Sequence, residues 1–145
     1  MLKSLFKAIS DRALKEEFEF QIKPHPWISM PHLGLIKKIA SQSSVALDPF
    51  TELLKDADAV ITSTSTSGLE AFLAGKRVVS YIPENLIALD PLLDIEDDNI
   101  YRWHEGEQLN ADFLKGPATA GNSRDMRQAY FSEIKKDIWL HSYRS

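Results

Sequence analysis

A run of hydroxyl side chains is the part of the sequence best suited to binding a phosphate. Ser63, Thr64, Ser65, Thr66 and Ser67 follow one another, precede Gly68, and lead into an amphipathic segment. A helix that begins there would offer free backbone N–H groups, hydroxyl donors and the positive end of its dipole together. A single hydroxyl also serves as an ordinary helix N-cap. Capping and phosphate binding are therefore both open interpretations, and they can coexist.

A second candidate for contact with the same anion is the segment Lys23 to Pro26. His25 lies between Pro24 and Pro26, which restrict its backbone and so direct its imidazole. An imidazole can donate to a phosphate oxygen, and Lys23 could add positive charge. A lone histidine at the end of a strand is equally well a surface residue, and an alternating strand exposes lysines as a matter of course.

Carboxylates follow two of the predicted strands, and one of them could contact a sugar diol beside such a phosphate. Glu70 lies one turn into the helix predicted after the hydroxyl run, where it could instead complement the helix dipole. Asp48 and Glu52 follow another predicted strand, at the same edge of the sheet. The sequence offers no identifiable general base, so we assign no catalytic residue.

The acidic motifs do not predict a metal site or a cofactor. Asp56-Ala57-Asp58 has a D-x-D pattern, but it precedes a predicted strand and so falls at the amino end of the sheet, opposite the edge where ligands bind. The acidic stretch 85–98 is typical of a solvated loop. The remaining histidines lack metal-site spacing, and the chain has no cysteine. Trp103 is expected to be a packed core residue.

Hydrophobic periodicity predicts strands alternating with helices. The predicted strands are Phe18 to Ile22, Ser44 to Leu47, Ala59 to Thr62, Arg77 to Ile82 and Asn99 to Trp103. The predicted helices are 1–16, 33–40, 49–55 with Asp48 as N-cap, 67–74 closed by Gly75, 105–114 and 122–142. This order predicts an α/β protein, a three-layer sandwich whose mostly parallel sheet has about five strands. Ligands bind such sheets at the carboxyl ends of the strands.

Composition sets the remaining expectations. A chain of 145 residues is sufficient for a single domain, 1–145. The net charge of -4 has the wrong sign for holding a nucleic-acid backbone, so nucleic acid is not an expected partner. The apolar stretches are too short to span a bilayer and the first residues lack a signal-peptide pattern, which predicts a soluble, cytoplasmic protein.

Lys-Pro-His-Pro at 23–26, followed by Ser-Thr-Ser-Thr-Ser-Gly-Leu-Glu-Ala-Phe-Leu-Ala-Gly at 63–75, resembles the nucleotide-sugar-binding half of GT-B glycosyltransferases. The most similar families are bacterial capsule, sialyl- and Kdo-transferases and CDP-glycerol glycerophosphotransferases. The resemblance implies a Rossmann-like domain and a CMP-, CDP- or UDP-linked sugar or glycerol as ligand. It matches His25 to the histidine of the HP motif and Ser65 with Thr66 to the hydroxyl pair that bind the donor phosphate.

The same resemblance implies roles for the neighbouring residues. Thr64 or Ser67 could take a place in the hydroxyl pair, with Gly68 in the same turn, because the run is repetitive. Glu70 resembles the acidic residue on the donor ribose, with Asp48 or Glu52 as a rival for that role. Lys23 and Pro26 are assigned to the base and ribose side. Lys23 beside the HP motif suggests cytidine by resemblance only.

The chain departs from the GT-B pattern in length. GT-B enzymes have two Rossmann-like domains, and the helix at 1–16 corresponds to the one that follows the central strand, so that strand and the acceptor half are expected to be missing. We therefore expect a homo-oligomer or a partner subunit with the other half, in a surface-polysaccharide transferase that could associate peripherally with a membrane. The alternatives are a UDP-sugar 2-epimerase-like domain and a truncated, non-catalytic module that binds a nucleotide or a partner.

Overall fold

The computed structural model describes residues 12–25, 34, 36, 43–84 and 90–119. The predicted helix at 122–142 and most of the predicted helix at 1–16 lie outside these residues. Gly34 and Ile36 are helical, as the prediction for 33–40 requires. The labelled elements are α1 (Arg12–Glu17), β1 (Gln21–Ile22), β2 (Ser44–Val45), α2 (Phe50–Asp56), β3 (Ala59–Thr62), α3 (Thr66–Leu73), β4 (Arg77–Ile82), β5 (Ile100–His104) and α4 (Ala111–Lys115).

All strand pairs in the described residues are parallel. β1 pairs with β2, with Gln21 opposite Ser44. The other sheet has the order β3-β4-β5, with Ala59 opposite Arg77 and Val78 opposite Ile100. The α/β prediction is confirmed, and a strand lies within or beside each predicted segment, although the strands predicted over Phe18 to Ile22 and Ser44 to Leu47 contain only Gln21–Ile22 and Ser44–Val45. The five strands are distributed between a two-stranded and a three-stranded sheet.

β4 is the centre of the three-stranded sheet, and its burial explains its sequence. Val78 and Val79 have no exposed surface, and Tyr81 is 2% exposed. A parallel strand that is covered on both faces needs apolar residues at successive positions. Because side chains alternate along a strand, Val79 and Tyr81 point to one face of the sheet, whereas Val78 and Ser80 point to the other.

The first of these faces carries a cluster that we call the α1/α4 core. It contains side chains from α1, α4 and both sheets, so the two sheets pack against one common core. Its buried members are Leu14, Ile36, Val79, Tyr81, Trp103, Leu109 and Leu114, with Phe18, Phe20, Ile22, Val45, Ala59, Ile61, Tyr101, Ala111 and Phe113 packed against them. Trp103 is 1% exposed, which confirms its predicted place in the core.

The opposite face of the three-stranded sheet carries the α2/α3 core. Its buried members are Leu54, Ala71, Phe72, Leu73, Val78, Leu92, Ile95 and Ile100, with Phe50, Val60 and Leu69 packed against them. The loop 90–95 folds over this face, although its sequence predicts a solvated acidic loop. Leu92 and Ile95 are the reason, because both side chains are buried there.

Polar contacts fix the 90–95 loop. The buried Asp90 carboxylate accepts a hydrogen bond from the Ser80 hydroxyl and another, at 3.0 Å, from the Leu92 amide. The Arg102 guanidinium donates to the carbonyl oxygens of Leu92, Leu93 and Ile95 at 3.1, 2.7 and 2.9 Å. The loop thus satisfies its backbone acceptors without belonging to the sheet.

Some predicted boundaries are wrong for identifiable reasons. The helix predicted at 105–114 begins only at Ala111, because Gly106 adopts a left-handed φ of 91° in a turn and the Asn110 side chain caps the Phe113 amide at 3.1 Å. The helix predicted from Pro49 begins at Phe50. Pro49 has a ψ of 142° and occupies the N-cap position, which the sequence predicts for Asp48.

The end of α3 follows the prediction. Gly75 has a φ of 78°, the left-handed conformation that closes many helices. Its amide donates to the Phe72 carbonyl at 2.9 Å, and the Lys76 amide donates to the Ala71 carbonyl at 3.0 Å. These two bonds form a Schellman motif, which ends α3 and directs the chain into β4.

Candidate functional site

The hydroxyl run forms the connection between β3 and α3. Thr62 is the last residue of β3, Ser65 is the N-cap, and α3 begins at Thr66, one residue before the predicted start. The turn therefore lies at the carboxyl end of β3. This is the edge of a parallel sheet where ligands bind.

Ser65 caps α3, which confirms the capping interpretation. Its Oγ accepts from the Ser67 amide at 3.2 Å and donates to the Ser67 Oγ at 3.2 Å. Its carbonyl oxygen accepts from the Gly68 amide at 3.1 Å. The Thr66 amide has no acceptor within the part of the chain that the structure describes. The cap thus occupies the amides of Ser67 and Gly68, whereas the Thr66 amide remains available to a ligand.

Gly68 is required for the close approach of α3 to the sheet. A Cβ built on Gly68 would lie 2.7 Å from Thr62 Cγ2 and 3.2 Å from Leu92 Cδ1. Both contacts are tighter than side chains normally make, so this position excludes larger residues. Gly68 holds the helix N-terminus against β3 and the 90–95 loop, and its predicted contact with a phosphate stays a prediction.

Thr64 has a strained backbone. Its φ is 52°, in the left-handed region that β-branched residues rarely adopt. The residue is exposed, so its hydroxyl is accessible from solvent. Strain of this kind costs about 1–3 kcal/mol and is concentrated at functional sites.

The electrostatics of α3 differ from those of its neighbours. Carboxylates in a first helical turn compensate the positive end of the helix dipole. α2 has Glu52 and α4 has Asp112 in this position, whereas α3 has no acidic residue in its first turn. Glu70 is exposed and lies in the second turn of α3. The N-terminus of α3 therefore has a positive end that its own first turn does not neutralise.

Lys23 and His25 lie at the end of β1, in the two-stranded sheet. The Lys23 ammonium donates to the Leu47 carbonyl at 3.0 Å and so joins the ends of β1 and β2. His25 is exposed and Pro24 is half-buried, while Pro26 lies outside the described residues. The structure thus places these residues and the hydroxyl turn at the carboxyl edges of two different sheets.

Asp48 and Glu52 are both exposed near the start of α2. Glu52 forms an ion pair with Lys55 at 2.5 Å within the same helix. An exposed pair of this kind contributes little to stability, and a carboxylate in the first turn also complements the dipole of α2. The predicted roles of these two residues toward a ribose stay predictions.

The sequence analysis did not identify the residues that hold the 90–95 loop against the hydroxyl turn. Asp90, Ser80 and Arg102 fix the loop that brings Leu92 against the position of Gly68. The signal for Asp90 was local, because an aspartate that bonds the amide two residues ahead forms an Asx-turn. Arg102 carried no signal, since a charged residue in an alternating strand normally points to solvent.

A metal cluster and a membrane-spanning helix are both absent from the described residues. No group of three or more His, Asp or Glu side chains could hold a metal there, and Asp56 and Asp58 lie before β3, at its amino end. None of the described helices is long and apolar enough to cross a membrane. The resolved pKa shifts concern Tyr101 in β5 and Lys115 in α4, both outside the hydroxyl turn.

No protein family, curated protein or solved structure matches the chain. The geometry of the turn from Ser63 to Gly68 is therefore the basis for assigning a function.

Proposed function

We propose that the turn from Ser63 to Gly68 binds the phosphate of a CMP-, CDP- or UDP-linked donor, in the donor-binding domain of a surface-carbohydrate transferase. The observation that carries this proposal is the N-terminus of α3. It follows β3 directly, it is capped by Ser65, and its first turn contains no carboxylate. Backbone amides and an uncompensated helix dipole at such a position bind phosphate groups.

The groups available in the turn suit an anion with several oxygens. The Thr66 amide and the exposed hydroxyls of Thr64 and Thr66 can donate while Ser65 maintains the cap. During group transfer, such donors would stabilise the charge that develops on the departing nucleotide. The strained φ of Thr64 supports a ligand-binding role for the turn.

In this proposal the two sheets are parts of one Rossmann-like sandwich. They already share the α1/α4 core, and all their strand pairs are parallel. In a single sheet the end of β1 would lie on the same edge as the hydroxyl turn. His25 and Lys23 would then add positive charge beside the phosphate, and Glu70 would face the ribose.

An NMR titration tests the proposal directly. CMP, CDP, UDP and CDP-glycerol are added separately to the isotope-labelled chain, and amide shifts are followed in the turn and elsewhere. We expect the largest shifts at Ser65, Thr66 and Ser67. If none of the four ligands moves these resonances, the proposed function is wrong.

A pair of cap variants separates binding from folding. Ser65→Ala and Asn110→Ala each remove a side chain that caps a helix, at α3 and α4 respectively. Each loss should cost about 1 kcal/mol of unfolding free energy. Only Ser65→Ala should weaken nucleotide binding, since Asn110 lies before a helix whose first turn already contains Asp112. If both variants weaken nucleotide binding equally, the loss of affinity reflects the loss of stability and not the loss of a contact with the nucleotide.

His25→Gln tests whether the end of β1 and the hydroxyl turn both contact the ligand. The residue is exposed, so the substitution should leave the unfolding free energy nearly unchanged. A loss of nucleotide affinity would then indicate that His25 contacts the phosphate. Unchanged affinity would confine the site to the turn and remove His25 from it.

A further inference from the structure

The position of α3 on the sheet depends on a side chain that the sheet does not supply. A Cβ built on Gly68 would lie 2.7 Å from Thr62 Cγ2, 3.7 Å from Val78 Cγ1 and 3.2 Å from Leu92 Cδ1. Thr62 and Val78 belong to β3 and β4, which pair with each other. Leu92 belongs to the 90–95 loop. The position of the first turn of α3 therefore depends on how that loop is held.

Arg102 of β5 holds the backbone of this loop. Its Nη2 atom donates to the carbonyl oxygens of Leu92, Leu93 and Ile95 at 3.1, 2.7 and 2.9 Å. Hydrogen bonds from a charged donor are stronger than those between neutral groups. Because three carbonyl dipoles converge on one nitrogen, the loop backbone is shaped around a positive charge. Without the guanidinium, the three oxygens would lose the donor that they share, and this loop conformation would be disfavoured.

The backbone of Leu92 is fixed at both its amide and its carbonyl. The amide donates at 3.0 Å to the buried carboxylate of Asp90, which also accepts from the Ser80 hydroxyl. The carbonyl oxygen accepts from Arg102. Ser80 and Arg102 lie opposite each other in β4 and β5, so two neighbouring strands hold the loop. The packing of the Leu92 side chain thus depends on these polar contacts.

A shift of α3 would affect its backbone amides more than its hydroxyls. A Ser or Thr hydroxyl rotates to suit a partner, whereas an amide is fixed to the helix and moves only with it. The Thr66 amide is a donor that the cap leaves available in the described structure. Its direction toward a phosphate is accordingly set by the contacts that hold Gly68.

We propose that Arg102 is a positioning residue for the phosphate site at the start of α3. The guanidinium holds the loop, and Leu92 holds Gly68 against Thr62. The Thr66 amide then keeps the direction that a phosphate oxygen needs. Groups that touch a ligand bind it best when neighbouring residues fix them in place. This inference rests on the proposed function, and it adds a residue that acts on the ligand through the loop.

Amide exchange in the ligand-free chain tests the positioning itself. Arg102→Met removes the guanidinium and keeps most of the aliphatic stem. We expect the amides of Ser67 and Gly68, which bond to Ser65, to exchange about tenfold faster in this variant. The matched control is Ile100→Val, which shortens a buried side chain of the same strand and the same α2/α3 core without removing a hydrogen bond of the loop.

The control variant should leave the amides of Ser67 and Gly68 unchanged. If these amides exchange alike in the wild type and Arg102→Met, Arg102 does not position the turn. Equal acceleration in Arg102→Met and Ile100→Val would also overturn the proposal, because it would reflect a general loss of stability.

A nucleotide titration tests the consequence for binding. CMP, CDP, UDP and CDP-glycerol are added separately to the wild type and the variants, and the Thr66 amide shift is followed. Arg102→Met should weaken the affinity for each nucleotide that binds the wild type by about tenfold. It should also reduce the Thr66 shift at saturation, whereas Ile100→Val should change neither. Arg102→Lys, which keeps a positive charge that can donate, should recover most of the affinity.

A double-mutant cycle tests whether Arg102 acts through Leu92. Leu92→Val shortens the side chain that packs against the position of Gly68. If both residues act through this contact, the double variant should lose clearly less affinity than the product of the two single losses. Independent losses, or unchanged affinity in Arg102→Met, would overturn the proposal. If the wild type binds none of the four nucleotides, the proposed function is wrong, and the ligand-free exchange still decides whether Arg102 positions the turn.

Discussion

The three-stranded and two-stranded sheets contain the same kind of parallel pairing but differ in burial. The central strand β4 is covered on both faces and has no exposed surface at Val78 and Val79. In the two-stranded sheet, Gln21 and Ser44 are exposed, and Ile22 and Val45 are only half-buried. A two-stranded sheet is marginal by itself in water. We infer that β3, β4 and β5 form the stable part of the fold, and that β1 and β2 depend on the shared core.

This difference bears on the candidate site. The hydroxyl turn follows β3, and the buried contacts of Gly68 with Thr62 and Leu92 hold it in place. Lys23 and His25 follow the less buried β1. Groups that must be positioned accurately are best placed on rigid elements. The turn is accordingly the part of the candidate site that the fold itself holds in place.

The largest difference in unfolding free energy should appear between two Phe→Ala substitutions, one packed on the three-stranded sheet and one beside the two-stranded sheet. Phe72 is fully buried in the α2/α3 core, whereas Phe20, beside β1, is only partly buried. Phe72→Ala should lower the unfolding free energy by about 3–5 kcal/mol, the range for buried aromatic residues. Phe20→Ala should cost clearly less, because less surface is buried. Urea unfolding measures both, and equal losses would contradict the comparison.

A smaller effect is expected from the polar support of the three-stranded sheet. Ser80→Ala removes the hydroxyl that bonds Asp90 and leaves a buried carboxylate oxygen without this donor. Such a loss costs about 1–3 kcal/mol. Because the 90–95 loop packs Leu92 against the start of α3, amide exchange should accelerate there before it changes in β1. Acceleration confined to β1 and β2 would argue against this assignment.

In the two-stranded sheet, Lys23→Met tests a single connection between the strand ends. The substitution removes the hydrogen bond to the Leu47 carbonyl and keeps most of the aliphatic stem. We expect a loss of about 0.5–1 kcal/mol, typical of one hydrogen bond near the surface. The Ala46 amide, which bonds to β1, should exchange faster, while the Val79 amide should be unaffected. A comparable change at Val79 would mean that the two sheets unfold as one unit.

The smallest effect concerns an ion pair that joins α1, before β1, to α4, after β5. Lys115 contacts Glu17 at 2.7 Å, and this hydrogen bond is the main reason why the pKa of Lys115 is raised above 10.5. A raised pKa stabilises the folded state below the unfolded pKa, and the contribution is lost as the pH rises through the folded pKa. The wild type should therefore exceed Lys115→Met in stability at neutral pH and lose that advantage in strong alkali.

Tyr101 also titrates in alkali, so the effect of Lys115 on stability has to be measured between two chains that both contain Tyr101. Burial, and to a lesser extent Glu107, raises the pKa of Tyr101, so its titration also lowers stability in alkali. Both the wild type and Lys115→Met contain Tyr101, and their difference isolates the ion pair. Thermal unfolding across the alkaline range provides the measurement. A difference that persists above the lysine titration would exclude the ion pair as its cause.

Local patterns predicted the elements better than their connections. The β-branched, apolar runs of β3 and β4 gave both strands their observed bounds, and Gly75 marked the end of α3. The same patterns failed between Glu105 and Asn110, where Gly106 adopts a turn conformation. Hydrophobic spacing alone could not show this, because Leu109 is buried in the core without being helical.

The sequence by itself determined that a run of hydroxyl residues separates an apolar strand from a helix, since β-branched runs, capping preference and glycine placement are local properties. Only the tertiary structure decided how that turn is supported and which strands are neighbours. Arg102 reaches the carbonyl oxygens of a distant loop, Asp90 binds Ser80, and Gly68 fits between Thr62 and Leu92. The division into two sheets has the same origin. A strand's periodicity reports which of its faces are buried, whereas its edge partners depend on segments that are distant in sequence.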